Sequence, residues 1–127
     1  DLNRLKYIND TYGHAAGDNL IITFSEQLKE VVGEGDFCGR MGGDEFIVIV
    51  NEEKYEGKLE KKLKEKVKNY NEISGMEYEL KYSIGKAKYK VGGKETIDDC
   101  IRMADYNMYE MKSMYMKKNI TKNVPVV

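Results

Sequence analysis

The sequence predicts an α/β fold, a sandwich of sheet and helices, on three observations. Apolar residues recur at helical spacing in three stretches, two short runs flank a Gly-Gly turn, and one later stretch alternates residue by residue. The predicted order is helix, two strands, helix, strand, helix. The 127 residues suit one domain, and 41% apolar content with ten Tyr, three Phe and seven Met can build one core.

Residues 1–18 are polar, and Gly13, His14 and Gly17 interrupt any long element there. From Asp18, placed as an N-cap, the residues Leu20, Ile21, Phe24, Leu28, Val31 and Val32 mark a helix that Gly33 should stop. Residues 36–41 and 45–50 read as strands around Gly42-Gly43. The second of them, apolar throughout, should be a central strand buried on both faces. Leu59, Leu63, Val67 and Tyr70 mark a helix whose Lys-rich remainder is its solvated face. Residues 77–91 alternate, with Tyr78, Leu80, Tyr82 and Ile84 on one side of a strand. Gly92-Gly93 makes a turn, and Thr96 with Asp99 resembles a capping box opening the last helix. That helix carries Ile97, Ile101, Ala104, Met108 and Met111 on one stripe, its Met residues expected as core filler.

Charged residues make up 34%, but Lys+Arg and Asp+Glu balance to a net charge of −1, so no sequence-wide basic field recruits nucleic acid. No apolar run approaches a membrane span and no signal peptide is visible, so no membrane contact by this domain is expected. Cys38 and Cys100 are too few for a disulfide scaffold and read as small core residues of a reduced, cytoplasmic compartment. The chain opens at Asp1, without Met, on a functional-looking stretch, and reads as a fragment of a longer protein.

Three clusters stand apart from the amphipathic pattern. Gly42-Gly43-Asp44-Glu45 joins a tight turn, over which a bulky ligand meets no side chain, to two acids leading into the most apolar strand. Adjacent carboxylates there need a cation or donor, and hard oxygen ligands suit Mg²⁺; a plain hairpin with solvated acids is the alternative. Asp1-Leu2-Asn3 with Lys6, Asn9 and Asp10 offers an acid for a metal, a cation for a phosphate and an amide able to read a base edge. The same residues could form a surface ion pair and cap or bend a short helix. In Gly13-His14-Ala15-Ala16-Gly17-Asp18, a lone His is more often structural than catalytic, and no second His or Cys pair offers a zinc site.

Taken jointly, the run from Asp1-Leu2-Asn3 through Lys6, Ile8-Asn9-Asp10-Thr11-Tyr12-Gly13-His14 and Gly17-Asp18, and Arg40-x-Gly42-Gly43-Asp44-Glu45-Phe46, resemble the GGDEF family of bacterial diguanylate cyclase domains. Tyr82-Ser83-Ile84-Gly85 and Ala104-Asp105-x-x-Met108-Tyr109-x-x-Lys112 continue the resemblance in register. It implies a central, mostly antiparallel sheet flanked by helices, like a polymerase palm or nucleotide cyclase, here without the family's first helix and strand. It implies condensation of two GTP into cyclic di-GMP and two pyrophosphates, each of two antiparallel domains holding one GTP. A homodimer and an upstream sensory or regulatory domain are the partners it implies, the parent protein being membrane-anchored in some architectures.

By the same resemblance Asp1, Asp44 and the Leu2 carbonyl hold Mg²⁺, with Mn²⁺ as its substitute, and Asp44 is also the proton acceptor. Glu45 supports a second metal position or orders the loop. Lys6 offsets phosphate charge, Lys112 binds phosphate, Asn9 and Asp18 read guanine, His14 contacts substrate, and Gly42 and Gly43 let it approach. Three positions depart from the pattern. Asn3 replaces a common acid, Gly33 stands where an inhibitory Arg-x-x-Asp site ending at Asp36 has its Arg, and Met116 replaces an Arg, with Lys117 or Lys118 nearby. Feedback inhibition should therefore be weak. The competing reading is a catalytically lapsed module that binds GTP or a protein partner.

Overall fold

The computed structural model describes residues 1–121, with the side chains of residues 1–113. It divides into two compact units, Asp1–Tyr82 and Ser83–Val127. The architecture is α/β: helices with an antiparallel two-stranded sheet among the described residues.

In the first unit, helix α1 (Leu5–Tyr12) is anchored by Ile8 and stops at Gly13, whose φ of 94° no L side chain adopts easily. Helix α2 (His14–Val31) follows at once. It starts four residues before the expected Asp18, because Gly13 serves as its N-cap and Ala15-Ala16 are strong helix formers. Asp18 is therefore not a cap but an exposed residue one turn inside α2, and Asn9 and Asp10 lie within α1. Leu20, Phe24, Leu28 and Val31 are the buried stripe of α2, which ends before Gly33 with Val32 as its C-cap.

Strands β1 (Phe37–Gly42) and β2 (Glu45–Ile49) form the expected hairpin. β2 is not buried on both faces: Phe46 and Val48 pack on the core, while Ile49 is 42% exposed. Only one face of this hairpin meets the core helices of its unit, so the apolar run is half-covered. A 3₁₀ turn (Glu52–Tyr55) leads to α3 (Leu59–Ile73), whose Leu63 and Val67 close the core against α2. Phe24 is its aromatic hub, edge-on to Phe46 at 5.1 Å and tilted over Tyr82 at 5.3 Å.

The strand expected over 77–91 is reduced to one antiparallel bridge, Leu2 to Tyr82. The alternation holds as far as Tyr82, since Tyr78 and Tyr82 pack on the core and Leu80 is 1% exposed, but Ile84, expected on the same side, is exposed, and among the described residues no strand lies alongside to supply a ladder. A side chain replaces it. Asn71 of α3 accepts from the Leu80 N–H at 2.8 Å and donates to the Leu80 carbonyl at 2.9 Å.

In the second unit, the Thr96/Asp99 capping box forms as expected: Asp99 accepts from the Thr96 N–H at 2.9 Å and Thr96 accepts from the Asp99 N–H at 3.1 Å. It opens α4 (Ile97–Thr121). Residues 85–88 lie along this helix, Asn107 donating to the Lys86 carbonyl and Cys100 to that of Lys88. Gly85 fits so closely that a Cβ would come 1.9 Å from the Ala104 carbonyl oxygen. Ile101, Ala104 and Met108 are half-buried, but Met111, expected as core filler, is 64% exposed. It sits about a turn past Met108, the last half-buried residue of that stripe among the described residues. Burial pushes both the Cys38 and Cys100 thiols up, as small core residues require.

Two outcomes follow for stability. Asn71→Ala should cost about 1–3 kcal/mol by urea denaturation, because it orphans a buried peptide group at Leu80. The Asp36 carboxyl is held below its ordinary 3.8 chiefly by the Tyr55 hydroxyl, so its stabilisation is present above that pH and lost as pH falls below it. Tyr55→Phe should thus lower the melting temperature at pH 7, and the gap to the unmutated chain should narrow below pH 3.8.

Candidate active site at the Gly-Gly hairpin

The hairpin pairs Phe37 with Ile49, Cys38 with Val48, Gly39 with Ile47 and Arg40 with Phe46, then shifts register so that Gly42 meets Glu45. Gly42 and Gly43 turn with φ of 139° and 52°, which is why both positions need glycine. The Arg40 guanidinium clamps this turn, donating Nε and Nη2 to the Gly43 carbonyl at 3.0 and 2.8 Å. Sequence reasoning gave Arg40 no task; its three-residue spacing from Gly43 was the signal available.

The chain start meets the hairpin here. The Leu2 N–H donates to the Asp44 carbonyl at 3.0 Å, and the Asn3 N–H to that of Lys81 at 2.8 Å. Asp1 is thereby one residue from the backbone of Asp44, and both are half-buried; Glu45 beyond them is exposed. Among the described residues no three or more of His, Cys, Asp and Glu converge to hold a metal. Mg²⁺ needs fewer, taking one or two carboxylates and completing its shell with water and phosphate. Asp1 and Asp44 carry carboxylates and Leu2 a backbone carbonyl, the oxygen types such a shell uses.

The α1–α2 corner holds the remaining candidates of this unit. Lys6 and Asn9, three apart on α1, and His14 and Asp18, four apart on α2, each share a helix face. Lys6, His14 and Asp18 are exposed, whereas Asn9 is half-buried and its Oδ1 has no hydrogen-bond partner among the described residues. Lys112 is a half-buried residue of α4 in the second unit. The side chains of Met116, Lys117 and Lys118 lie outside the described residues.

Asp36, at the foot of β1, is occupied by its own neighbours. Its carboxylate accepts from the Tyr55 hydroxyl at 2.5 Å and the Asn51 N–H at 3.4 Å, and pairs with Lys54 at 3.5 Å. The Gly33 N–H in turn donates to the Tyr55 hydroxyl at 2.7 Å.

The family model for the diguanylate cyclase GGDEF domain matches residues 1–118. The bifunctional diguanylate cyclase/cyclic di-GMP phosphodiesterase MucR of Pseudomonas aeruginosa is 35% identical over 114 residues, covering 88% of this chain and 16% of that protein. Diguanylate cyclase A of Treponema denticola is 32% identical over 118 residues, covering 88% and 31%. The chain thus spans less than a third of either relative. Among solved structures, an EAL/GGDEF domain protein from M. capsulatus superposes with a TM-score of 0.74 at 30% identity, over 90% of this chain and 75% of that one. The diguanylate cyclase SiaD of Pseudomonas aeruginosa, solved with its activator SiaC, gives 0.74 at 24% identity over 90% and 44%, a likeness of fold. No helix among the described residues is long and apolar enough to cross a membrane. Matched over residues 1–118 and similar in fold to solved GGDEF domains, the chain belongs to the GGDEF family.

Proposed function

We propose that this chain works as a diguanylate cyclase domain, joining two GTP into cyclic di-GMP with release of two pyrophosphates. The observation that carries the reading is the Leu2–Asp44 bond, which draws the first acid of the chain to the acid of the Gly-Gly turn. Two acidic residues whose backbones meet beside a bare glycine turn suit the binding of a triphosphate better than a plain surface hairpin. The similarity to proteins named as diguanylate cyclases supports the same reading.

Asn9 and Asp18 bind guanine; a carboxylate at 18 accepts from both N1–H and the exocyclic amine, whereas adenine offers no N1–H. His14 orients the substrate from the same face of α2. Lys6 and Lys112 offset phosphate charge, and the Gly42-Gly43 turn lets the nucleotide lie close to backbone. Asp44 takes the 3′-hydroxyl proton as that oxygen bonds the α-phosphorus of the other GTP and the α–β phosphoanhydride breaks. Asp1, Asp44 and the Leu2 carbonyl would hold Mg²⁺ or Mn²⁺, with Glu45 at a second position. When bound, the ion would neutralise phosphate charge and acidify the hydroxyl.

Each domain supplies half of the reaction, so catalysis needs two copies, brought together by a regulatory domain of a longer, cytoplasm-facing protein. Product feedback at Asp36 is weak, a reading supported by Gly33 at the Arg position and by the filled hydrogen bonds of that carboxylate.

Asp44→Ala should lower cyclic di-GMP formation, read by mass spectrometry, about 10²–10⁴-fold with an unchanged melting curve. Turnover that survives the substitution removes Asp44 from the chemistry. Asp18→Ser should reduce the preference for GTP over ATP about tenfold, and an unchanged ratio sinks the guanine assignment. A folded, dimerised sample that binds GTP yet forms no product would instead favour the lapsed binding module.

A further inference from the structure

The α1–α2 corner contains a notch that only glycine leaves open. A Cβ at Gly17 would fall 1.7 Å from Asn9 Oδ1 and 2.7 Å from its Cγ, so the Asn9 carboxamide occupies the volume a side chain at 17 would need. Gly17 is a buried residue in the first turns of α2, where glycine is a poor helix former, and helix formation alone would favour alanine there. The oxygen lodged in the notch is buried without a hydrogen-bond partner among the described residues. Such an acceptor is costly to bury for packing alone. The next residue along α2 is Asp18.

We propose that Gly17 is a specificity-determining positioning residue: its missing side chain seats the Asn9 carboxamide beside Asp18 so that the two address one nucleobase together. This rests on the assignment of Asn9 and Asp18 to guanine and adds the residue that sets their relation. The close contact is with the end of a short side chain rather than with backbone. Alanine at 17 can therefore be accepted by turning Asn9 away, which costs recognition and spares the fold.

The test compares Gly17→Ala, Asn9→Ala and the double variant in the full chain. The probes are the α,β-methylene analogues of GTP and ATP, which cannot be cleaved at the reacting bond, titrated calorimetrically with Mg²⁺. Gly17→Ala should lower the guanosine-to-adenosine affinity ratio about tenfold, as Asn9→Ala does, while its melting temperature stays at or above that of the unmutated chain. The double variant should show no further loss, and the Asn9 side-chain amide resonances should move in Gly17→Ala. A ratio unchanged in Gly17→Ala but lowered in Asn9→Ala overturns the role of Gly17 and leaves the guanine assignment standing. A ratio unchanged in Asn9→Ala overturns that assignment and the proposal with it. A fall in melting temperature that removal of the Asn9 side chain does not restore also overturns it, because the notch would then serve packing.

Discussion

Leu2 is the residue on which the geometry of the site depends. It is 2% exposed, its N–H is bonded to the Asp44 carbonyl, and it pairs with Tyr82 in the single bridge that ties the chain start to the segment after α3. Burying a leucine side chain contributes about 1.5–3 kcal/mol, against a net 0.5–1.5 kcal/mol for one hydrogen bond. The apolar anchor therefore decides where this segment lies, and the hydrogen bonds fix its register. Phe24 touches both sides of the seam through Phe46 and Tyr82, so the core of α2 holds the hairpin and the bridge together. The approach of the chain start to the Asp44 backbone is a consequence of this core packing.

Around that seam, side chains do work that a longer ladder would otherwise do. Asn71 gives Leu80 both hydrogen bonds of a strand neighbour, and Arg40 holds the Gly43 carbonyl at the tip of the hairpin. Each makes two hydrogen bonds, Arg40 with two donors and Asn71 with one donor and one acceptor, and a pair of bonds fixes orientation as well as distance. Orphaned acceptors show the contrast. Gln27 Oε1 and Asn9 Oδ1 are both buried without partners, but Gln27 lies among the core residues of α2, while Asn9 lies at the corner with exposed His14 and Asp18. Both oxygens are closed off from solvent, and that of Asn9 fills the space left by Gly17.

What the sequence disclosed follows from where local and tertiary preferences agree. The hairpin, α3 and the Thr96/Asp99 box were legible because each signal is completed by residues within a few positions. The start of α2 was not, because a good cap residue at Asp18 competed with Gly13, whose positive φ ends one helix and starts the next. Residues 77–91 show the limit of periodicity, which reports sidedness of burial but not the presence of a partner strand. Within the candidate site, spacing alone could not bring Asp1 to Asp44; the family resemblance implied that pairing, and what the structure shows is the backbone bond from Leu2 to Asp44. Gly17 read as a helix breaker, since the carboxamide that fills its space belongs to another helix.

The cluster at Asp36 shows how one altered residue redirects a carboxylate. A side chain at 33 would begin 3.3 Å from both Lys54 Nζ and the Tyr55 hydroxyl, the two side-chain groups that engage Asp36 beside the Asn51 N–H. An arginine at 33 and the present cluster therefore compete for the same space. With glycine there, the Tyr55 hydroxyl bridges the Gly33 N–H and the Asp36 carboxylate, and Lys54 reaches the Glu34 carbonyl at 2.6 Å. These bonds join the end of α2, the foot of β1 and the turn after β2. The hairpin is thus held at its base by Asp36 and at its tip by Arg40. With both ends fixed, the register that sets Asp44 against Leu2 has little room to slip.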